Sequence, residues 1–447
     1  MTASKDIASV AVIGAGTMGL GIAALCAQAG VKVLLLDRAG PADDRQKHVR
    51  AALEKLSSAR PPMLDDPAHA KRIQIGNVED DLARIAEADW VCEAVFEDLG
   101  IKRDLHAAIE KHRKPGSVIS TNTSGIPLRA IAEGMPERFR RDVLVTHFFN
   151  PVKVMKLVEL VPGADTDPAT LARLAAFCGG PLGKGVVYAK DTVNFVANRI
   201  GCFFMLHGLH QAVAAVEGGL SMETVDAALD GPVGLPSTGL FGLVDLIGVD
   251  VMDFVARNLA QNLPAGDPSR GVLEFPAKVR RMAERGQLGR KTGAGFYRLA
   301  KAADGSRTKE TFDLATESWR AEQPARLSTG ESEAGSLLFA DTPTGRLAWS
   351  VMGGTLVYAA GLVPEIADDI VNVDRAMRWG YAWRMGPFEL LDAVGPERVA
   401  ARLKAEGRAV PRMLDLALRA KPQAFYAEGG KRFLGTDGAF HPVPGTS

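Results

Sequence analysis

Over the first 188 residues short apolar runs alternate with amphipathic stretches. The runs at 10–13, 31–36, 90–94, 118–120, 144–146 and 186–189 carry few charges and read as buried strands. Strands separated by helices predict a mostly parallel sheet covered on both faces. Residues 51–75 break the rhythm with a longer helical segment around Pro61-Pro62, expected as a helix pair projecting from the sheet. From 191 to 297 the pattern turns all-helical, and 200–216 is a nearly uncharged helix that calls for burial on every side. Residues 300–340 are polar, rich in Ala, Glu, Ser and Gly, and read as a linker; 341–447 return to helices. The expected division is therefore 1–189, 190–299, a linker at 300–340, and 341–447.

The second and last of these regions resemble each other. Residues 239–248 and 386–395 share the spacing GxFxLxDxxG at an offset of 147, and the Val-Asp pairs at 225 and 373 repeat at an offset of 148. A duplicated helical unit accounts for both. Near the start, the 25 residues between Asp6 and Lys32 carry no charge, long enough to span a bilayer. Gly14, Gly16, Gly19 and Gly21 are costly in one continuous helix, so the stretch reads as strand, loop and helix. No basic segment precedes it, and neither a leader nor a membrane span is expected.

That loop is Gly14-Ala-Gly16-Thr17-Met18-Gly19, and a second strand ends in Asp37, 18 residues after Gly19. Gly14 allows a tight turn, Gly16 lets a pyrophosphate approach the backbone, and Gly19 lets helix and strand pack closely. The helix N-terminus offers free N–H groups to phosphates. Asp37 would accept bonds from a ribose and repel a 2′-phosphate, which favours NAD over NADP, although Arg38 stands next to it; FAD shares the fingerprint. The 53 basic and 53 acidic side chains cancel, which argues against nucleic acid as a partner. Four scattered cysteines form no CxxC pair and read as reduced thiols of a cytoplasmic protein, with no metal site.

Of eight histidines, most sit among charges on expected helix surfaces. His147 instead closes a strand, at the sheet edge where chemistry collects in open α/β folds. Glu159, twelve residues on, lies in the apolar run 155–161, where an acid is expensive unless paired. A turn at Pro151 could return this run beside the strand and set the carboxylate against the imidazole, as a general base requires. A structural buried His and Glu is the other reading of the spacing.

Thr146-His-Phe-Phe-Asn-Pro-Val-Lys-Val-Met-Lys-Leu-Val-Glu159 closely resembles the catalytic segment of the L-3-hydroxyacyl-CoA dehydrogenase family of fatty-acid β-oxidation. Similar family motifs are Glu93-Ala-Val-Phe-Glu97, Asn122-Thr-Ser124, Asp191-Thr-Val-Asn-Phe-Val-Ala-Asn198-Arg and Gly289-Arg-Lys-Thr-Gly-Ala-Gly-Phe-Tyr297. They follow in family order over residues 8–297. The resemblance implies a Rossmann-type doubly wound α/β domain followed by all-α domains, a duplicated unit like the C-terminal part of 6-phosphogluconate dehydrogenase. It implies NAD-dependent oxidation of an acyl-CoA substrate, with His147 as base and Glu159 as its partner. Ser124 and Asn198 match substrate contacts near the 3-oxygen and thioester. Asn122, Asn150, Glu97, Lys102 and Ser124 match cofactor positions, beside the glycine loop and Asp37. Ser124 as a helix cap and Asn198 as a helix-start residue are the plain alternatives.

Two departures stand out. Val193-Asn194 replace the family's usual Pro-Gly at the hinge before Asn198, and the stretch that often carries a lysine cluster for CoA phosphates offers only Lys55 and Arg60. The resemblance further implies a monomer or homodimer, or part of a larger β-oxidation protein, with no hydratase domain in this chain. In short family members the helical domain commonly pairs with its copy in a second subunit, so a tandem copy is expected to dock in the partner's place and cover 200–216. Two other readings remain open: a related dehydrogenase of a non-CoA hydroxy acid, and a non-catalytic protein on the same fold.

Overall fold

The computed structural model describes residues 7–59, 62–301, 305–328 and 330–445, and the chain divides into two compact units between Val196 and Ala197. The first unit holds one eight-stranded sheet: β1 (Ser9–Ile13), β2 (Lys32–Asp37), β3 (Ile73–Asn77), β4 (Trp90–Glu93), β5 (Val118–Thr121), β6 (Val143–Phe148), β7 (Leu157–Pro162) and β8 (Gly185–Tyr188). Their order is β3-β2-β1-β4-β5-β6-β7-β8. All pairs are parallel except β6 with β7. The order reverses between β1 and β4, where open α/β sheets form their crevice. The central strands β4, β5 and β6 are buried throughout because helices cover both faces. Helix α1 (Thr17–Gln28) contributes buried Leu20, Ile22, Ala23 and Cys26 and has no charge to exclude from the core. Leu20 and Ile22 contribute about 2 kcal/mol each on burial.

The segment expected as a helix pair is instead α2 (Lys47–Ser58), a 3₁₀ turn (Pro67–Arg72) and the edge strand β3. Asp66 caps the turn through the Ala68 amide at 2.8 Å, and Ile73-Gln-Ile75 alternates with period two, which suits pairing with Val33–Leu35 rather than a helix face. Arg60 and Pro61 lie outside the described residues.

The second unit is built around the helix Ala197–Glu217. By length and composition it could cross a membrane, yet 67% of its apolar window is buried. Residues of the last region cover it. Phe203 stacks on Tyr358 with centroids 4.2 Å apart, and Phe204 meets the edge of Trp383 at 5.8 Å. His207 Nε2 lies 2.9 Å from the Ser350 carbonyl oxygen, and Arg199 Nε donates to the Tyr358 hydroxyl at 2.7 Å.

The repeat seen in the sequence is also a repeat of hydrogen bonds. Asp226 accepts from the Phe241 and Gly242 amides (2.7 and 3.2 Å) and the Tyr297 hydroxyl (2.8 Å). Asp374 accepts from the Phe388 and Glu389 amides (2.8 and 3.2 Å) and the Tyr426 hydroxyl (2.6 Å). Asp245 holds the Phe296 and Tyr297 amides, and Asp392 those of Phe425 and Tyr426.

Part of the stretch read as a linker is an antiparallel meander: β9 (Tyr297–Lys301), β10 (Arg307–Asp313) and β11 (Ser318–Ala321). It docks through Thr311 and Arg320 on the carboxylate of Glu223. One face of the meander is solvated, so its polar strands give little hydrophobic signal. The last region likewise adds three short strands, β12 (Tyr426–Ala427), β13 (Arg432–Leu434) and β14 (Phe440–Pro442), to its helices.

Candidate functional site

The glycine loop leaves β1 at the crevice. Gly14 has φ +102°, and a Cβ there would lie 2.5 Å from the Ala94 carbonyl oxygen; a Cβ on Gly19 would lie 1.8 Å from that of Gly14. Protein packing therefore demands both glycines. Nothing lies within 4 Å of a Cβ placed on Gly16, so protein packing does not demand that glycine, and the backbone there is open to close approach. Gly16 is also the N-cap of α1 and offers no side chain to the first amides, which Thr17 and Met18 begin. Asp37 Oδ2 accepts from the Ala15 amide at 3.3 Å, so the end of β2 and the glycine loop are joined. This set fits a dinucleotide.

His147 and Glu159 are register partners on β6 and β7. Nδ1 lies 2.7 Å from Glu159 Oε2, and Glu159 Oε1 accepts from the Val196 amide at 3.1 Å. Glu159 is fully buried and His147 is 5% exposed. The imidazole rests between Phe149 and Phe195, at centroid distances of 4.5 and 5.5 Å. Phe195 and Asn194 both adopt left-handed backbone, with φ +51° and +61°. Asn tolerates that conformation best among residues with a side chain, so Asn194 can stand where the family usually has glycine; a Phe there is strained. Lys184 sends its buried ammonium to the Val152 and Met155 carbonyl oxygens (the latter at 2.7 Å), tying down the turn between β6 and β7 that carries exposed Asn150.

A second cluster lies under the loop after β5. Glu97 Oε1 takes the Thr123 hydroxyl at 2.5 Å and the Ser124 and Gly125 amides at 3.0 Å each. Lys102 is wholly buried, with its ammonium 2.7 Å from Glu93 Oε1 and 3.4 Å from Glu97 Oε2. It acts on the site through Glu97 rather than as a free cation. Burial alone would raise the Glu93 carboxyl, but His106 at 3.4 Å and the Lys102 charge outweigh it and hold the group at about 2. Asn122 Oδ1 receives the Phe148 amide at 2.9 Å, fixing the end of β6.

Ser124 does not cap the following helix: Asp191 takes the Leu128 and Arg129 amides at 2.7 and 2.9 Å. Asn198 stands in the first turn of Ala197–Glu217, in the second unit, and its carboxamide oxygen accepts from Tyr381. Lys55 is exposed on α2, and Arg60 falls outside the described residues. Sequence reasoning passed over Lys184, quoted Glu93 and Asp191 within motifs without giving either a role, and placed His106 among surface histidines although it is fully buried. Lys102 and His106 are four apart on Leu99–His112 and so share a face, the one available signal.

The model of the 3-hydroxyacyl-CoA dehydrogenase NAD-binding domain matches residues 9–192, and that of the C-terminal domain matches 195–299 and 350–423. The chain is 36% identical over 465 aligned positions to a probable 3-hydroxyacyl-CoA dehydrogenase of Bacillus subtilis (strain 168), covering 98% of this chain and 58% of that protein. It is 38% identical over 388 positions to a putative fatty acid oxidation complex trifunctional enzyme of Rickettsia felis, covering 87% and 53%. The chain thus spans little more than half the length of these curated relatives. A solved 3-hydroxybutyryl-CoA dehydrogenase from Escherichia coli shares the fold, with a TM-score of 0.69 at 24% identity, over 92% of this chain and 98% of that one.

Proposed function

This chain belongs to the 3-hydroxyacyl-CoA dehydrogenase family, and on that premise we propose that it oxidises an L-3-hydroxyacyl-CoA to the 3-ketoacyl-CoA with reduction of NAD. The observation that carries the reading is the buried His147 and Glu159 pair on the carboxyl end of β6, the edge of the sheet from which the glycine loop also leaves. Nδ1–H donates to Glu159, which leaves the other ring nitrogen to take the proton of the 3-hydroxyl. The carboxylate then stabilises the imidazolium. Such help is typically worth ~100- to 10,000-fold. NAD, when bound, supplies the acceptor for hydride from C3.

Residues 14–19 hold the cofactor's pyrophosphate and Asp37 its ribose, while Asn122 and Asn150 flank it. Glu97 and Lys102 set the loop that carries Ser124. Ser124 and Asn198 contact the substrate near its 3-oxygen and thioester, and Lys55 is the candidate for the CoA phosphates. Four buried free thiols, Cys92 among them pushed up to about 12 by burial, suit the reducing cytoplasm in which we place the protein.

Oxidation of NADH by acetoacetyl-CoA, followed spectrophotometrically, tests the assignment. His147→Gln should keep NADH binding and lose at least ~100-fold in kcat. Near-normal turnover in that variant removes His147 from the mechanism. Equal efficiency with NADPH would show that Asp37 does not select the cofactor.

A further inference from the structure

Asn198 and Tyr381 are 183 residues apart and belong to different copies of the repeated unit, yet the Tyr381 hydroxyl donates to Asn198 Oδ1 at 3.0 Å. The phenol can come this close because Gly201, three residues after Asn198 on the same helix face, has no side chain. A Cβ there would lie 2.1 Å from the ring's Cζ. The ring is held from its own side too. Ala382 takes φ +54°, a conformation that a residue with a Cβ adopts only when its surroundings impose it. Trp383 is buried against Phe204. The Arg384 amide donates to the Gly234 carbonyl oxygen at 2.8 Å, and its guanidinium donates to that of Gly231 at 2.7 Å. Residues 381–384 are thus clamped onto the first copy, with the hydroxyl of Tyr381 at their leading end.

We infer that Tyr381 is a positioning residue for Asn198, supplied to the reaction by the second copy of the helical unit. This rests on the reading of Asn198 as a substrate contact. A carboxamide presents an acceptor at one end and two donors at the other. With the phenol O–H directed at Oδ1, the amide is turned so that its N–H₂ end is left for a ligand. Both the 3-oxygen and the thioester carbonyl of the substrate are acceptors, so only this orientation serves them; the flipped amide would set oxygen against oxygen. The counterparts of the two residues in the repeat are apolar. Gly345 stands before Arg346-Leu347 as Asn198 stands before Arg199-Ile200, and offsets of 148 and 147 carry Tyr381 back to Val233 or Gly234. The hydrogen bond is not an inherited feature of the pairing between copies.

Tyr381→Phe removes the hydroxyl and keeps the ring. In full-length protein it should lower kcat/KM for acetoacetyl-CoA by ~5- to 15-fold, as loss of one hydrogen bond to a polar group does, while the NADH Kd and Tm stay near wild type. In an Asn198→Ala background the same change should cost less than about 2-fold, since the residue it acts through is gone. Wild-type kinetics in Tyr381→Phe overturn the proposal and leave the reading of Asn198 intact. So does an undiminished effect in the Asn198→Ala background, or a lowered Tm without kinetic coupling, either of which makes Tyr381 a packing residue only. Full activity of Asn198→Ala strikes the reading of Asn198 itself, and the proposal with it.

Discussion

The two helical copies keep one set of residues and part company over another. In each, a buried aspartate (Asp226 or Asp374) gathers two amides from the next helix and a tyrosine hydroxyl, and a second aspartate (Asp245 or Asp392) gathers the amides around that tyrosine. The leading helix, by contrast, runs unbroken over Ala197–Glu217 in the first copy. In the second, a π-helical turn over Trp349–Gly353 interrupts it. Gly353 makes room there for the Trp349 ring, which a Cβ would approach to 2.5 Å. The first copy has Asn198 where the second has Gly345. What both copies share holds their helices together; what differs is the polar group offered for chemistry. The second copy is thereby freed to serve the first, as cover for its helix and as the source of Tyr381.

Three experiments can break or sharpen this contrast. Removing 341–447 should have the largest effect, because it strips the cover from Phe203, Phe204 and their neighbours; light scattering should then find dimers or aggregates. A well-behaved monomer would mean that the first copy does not need the second. Next in size are Asp226→Ala and Asp374→Ala. Each leaves two amides and a hydroxyl without an acceptor, at a cost of about 3–5 kcal/mol in urea titrations. Unequal losses would show that the shared clasp no longer does the same work in both copies.

The smallest effect is on pH. Burial pushes Asp226 up to about 7 and Asp245 to about 6, against the donors that pull them down, and Asp374 and Asp392 also rise through burial. A carboxyl raised in the folded state adds stability that is complete below its ordinary range near 4 and fades as pH climbs through the folded value. Folding stability should therefore fall from pH 5.5 to pH 8, by on the order of 1 kcal/mol, and Tm with it, and both should fall less in Asp226→Asn. An unchanged slope in that variant would take Asp226 out of the titration.

How much of this was legible in the sequence follows from how local each feature is. The glycine loop, Asp37 and the stretch from His147 to Glu159 are short-range patterns, and the offsets of 147 and 148 marked the repeat. The edge strand β3 was lost because Ile73-Gln-Ile75 is too short to outvote the helical residues before it. The meander was lost because strands such as Arg307–Asp313 are mostly polar and largely exposed. His106 looked like a charge on a helix surface, and Lys102 was marked only by the resemblance, since nothing before folding shows that Glu93 lies across from them. Tyr381 could not be found at all: its partner is 183 residues away, and its own neighbourhood reads as ordinary core.

Because both halves of the helical interface sit on one chain, joined through 298–340, their pairing is first order and does not depend on how much protein is present. Joining two partners in one chain fixes their effective concentration through the connecting segment, here partly folded as the β9–β11 meander. A pair of separate subunits would fall apart on dilution below its dissociation constant, and activity per molecule would drop with it. Here specific activity should stay constant down to nanomolar protein, at the expense of carrying one glycine loop and one His147 for every two helical units.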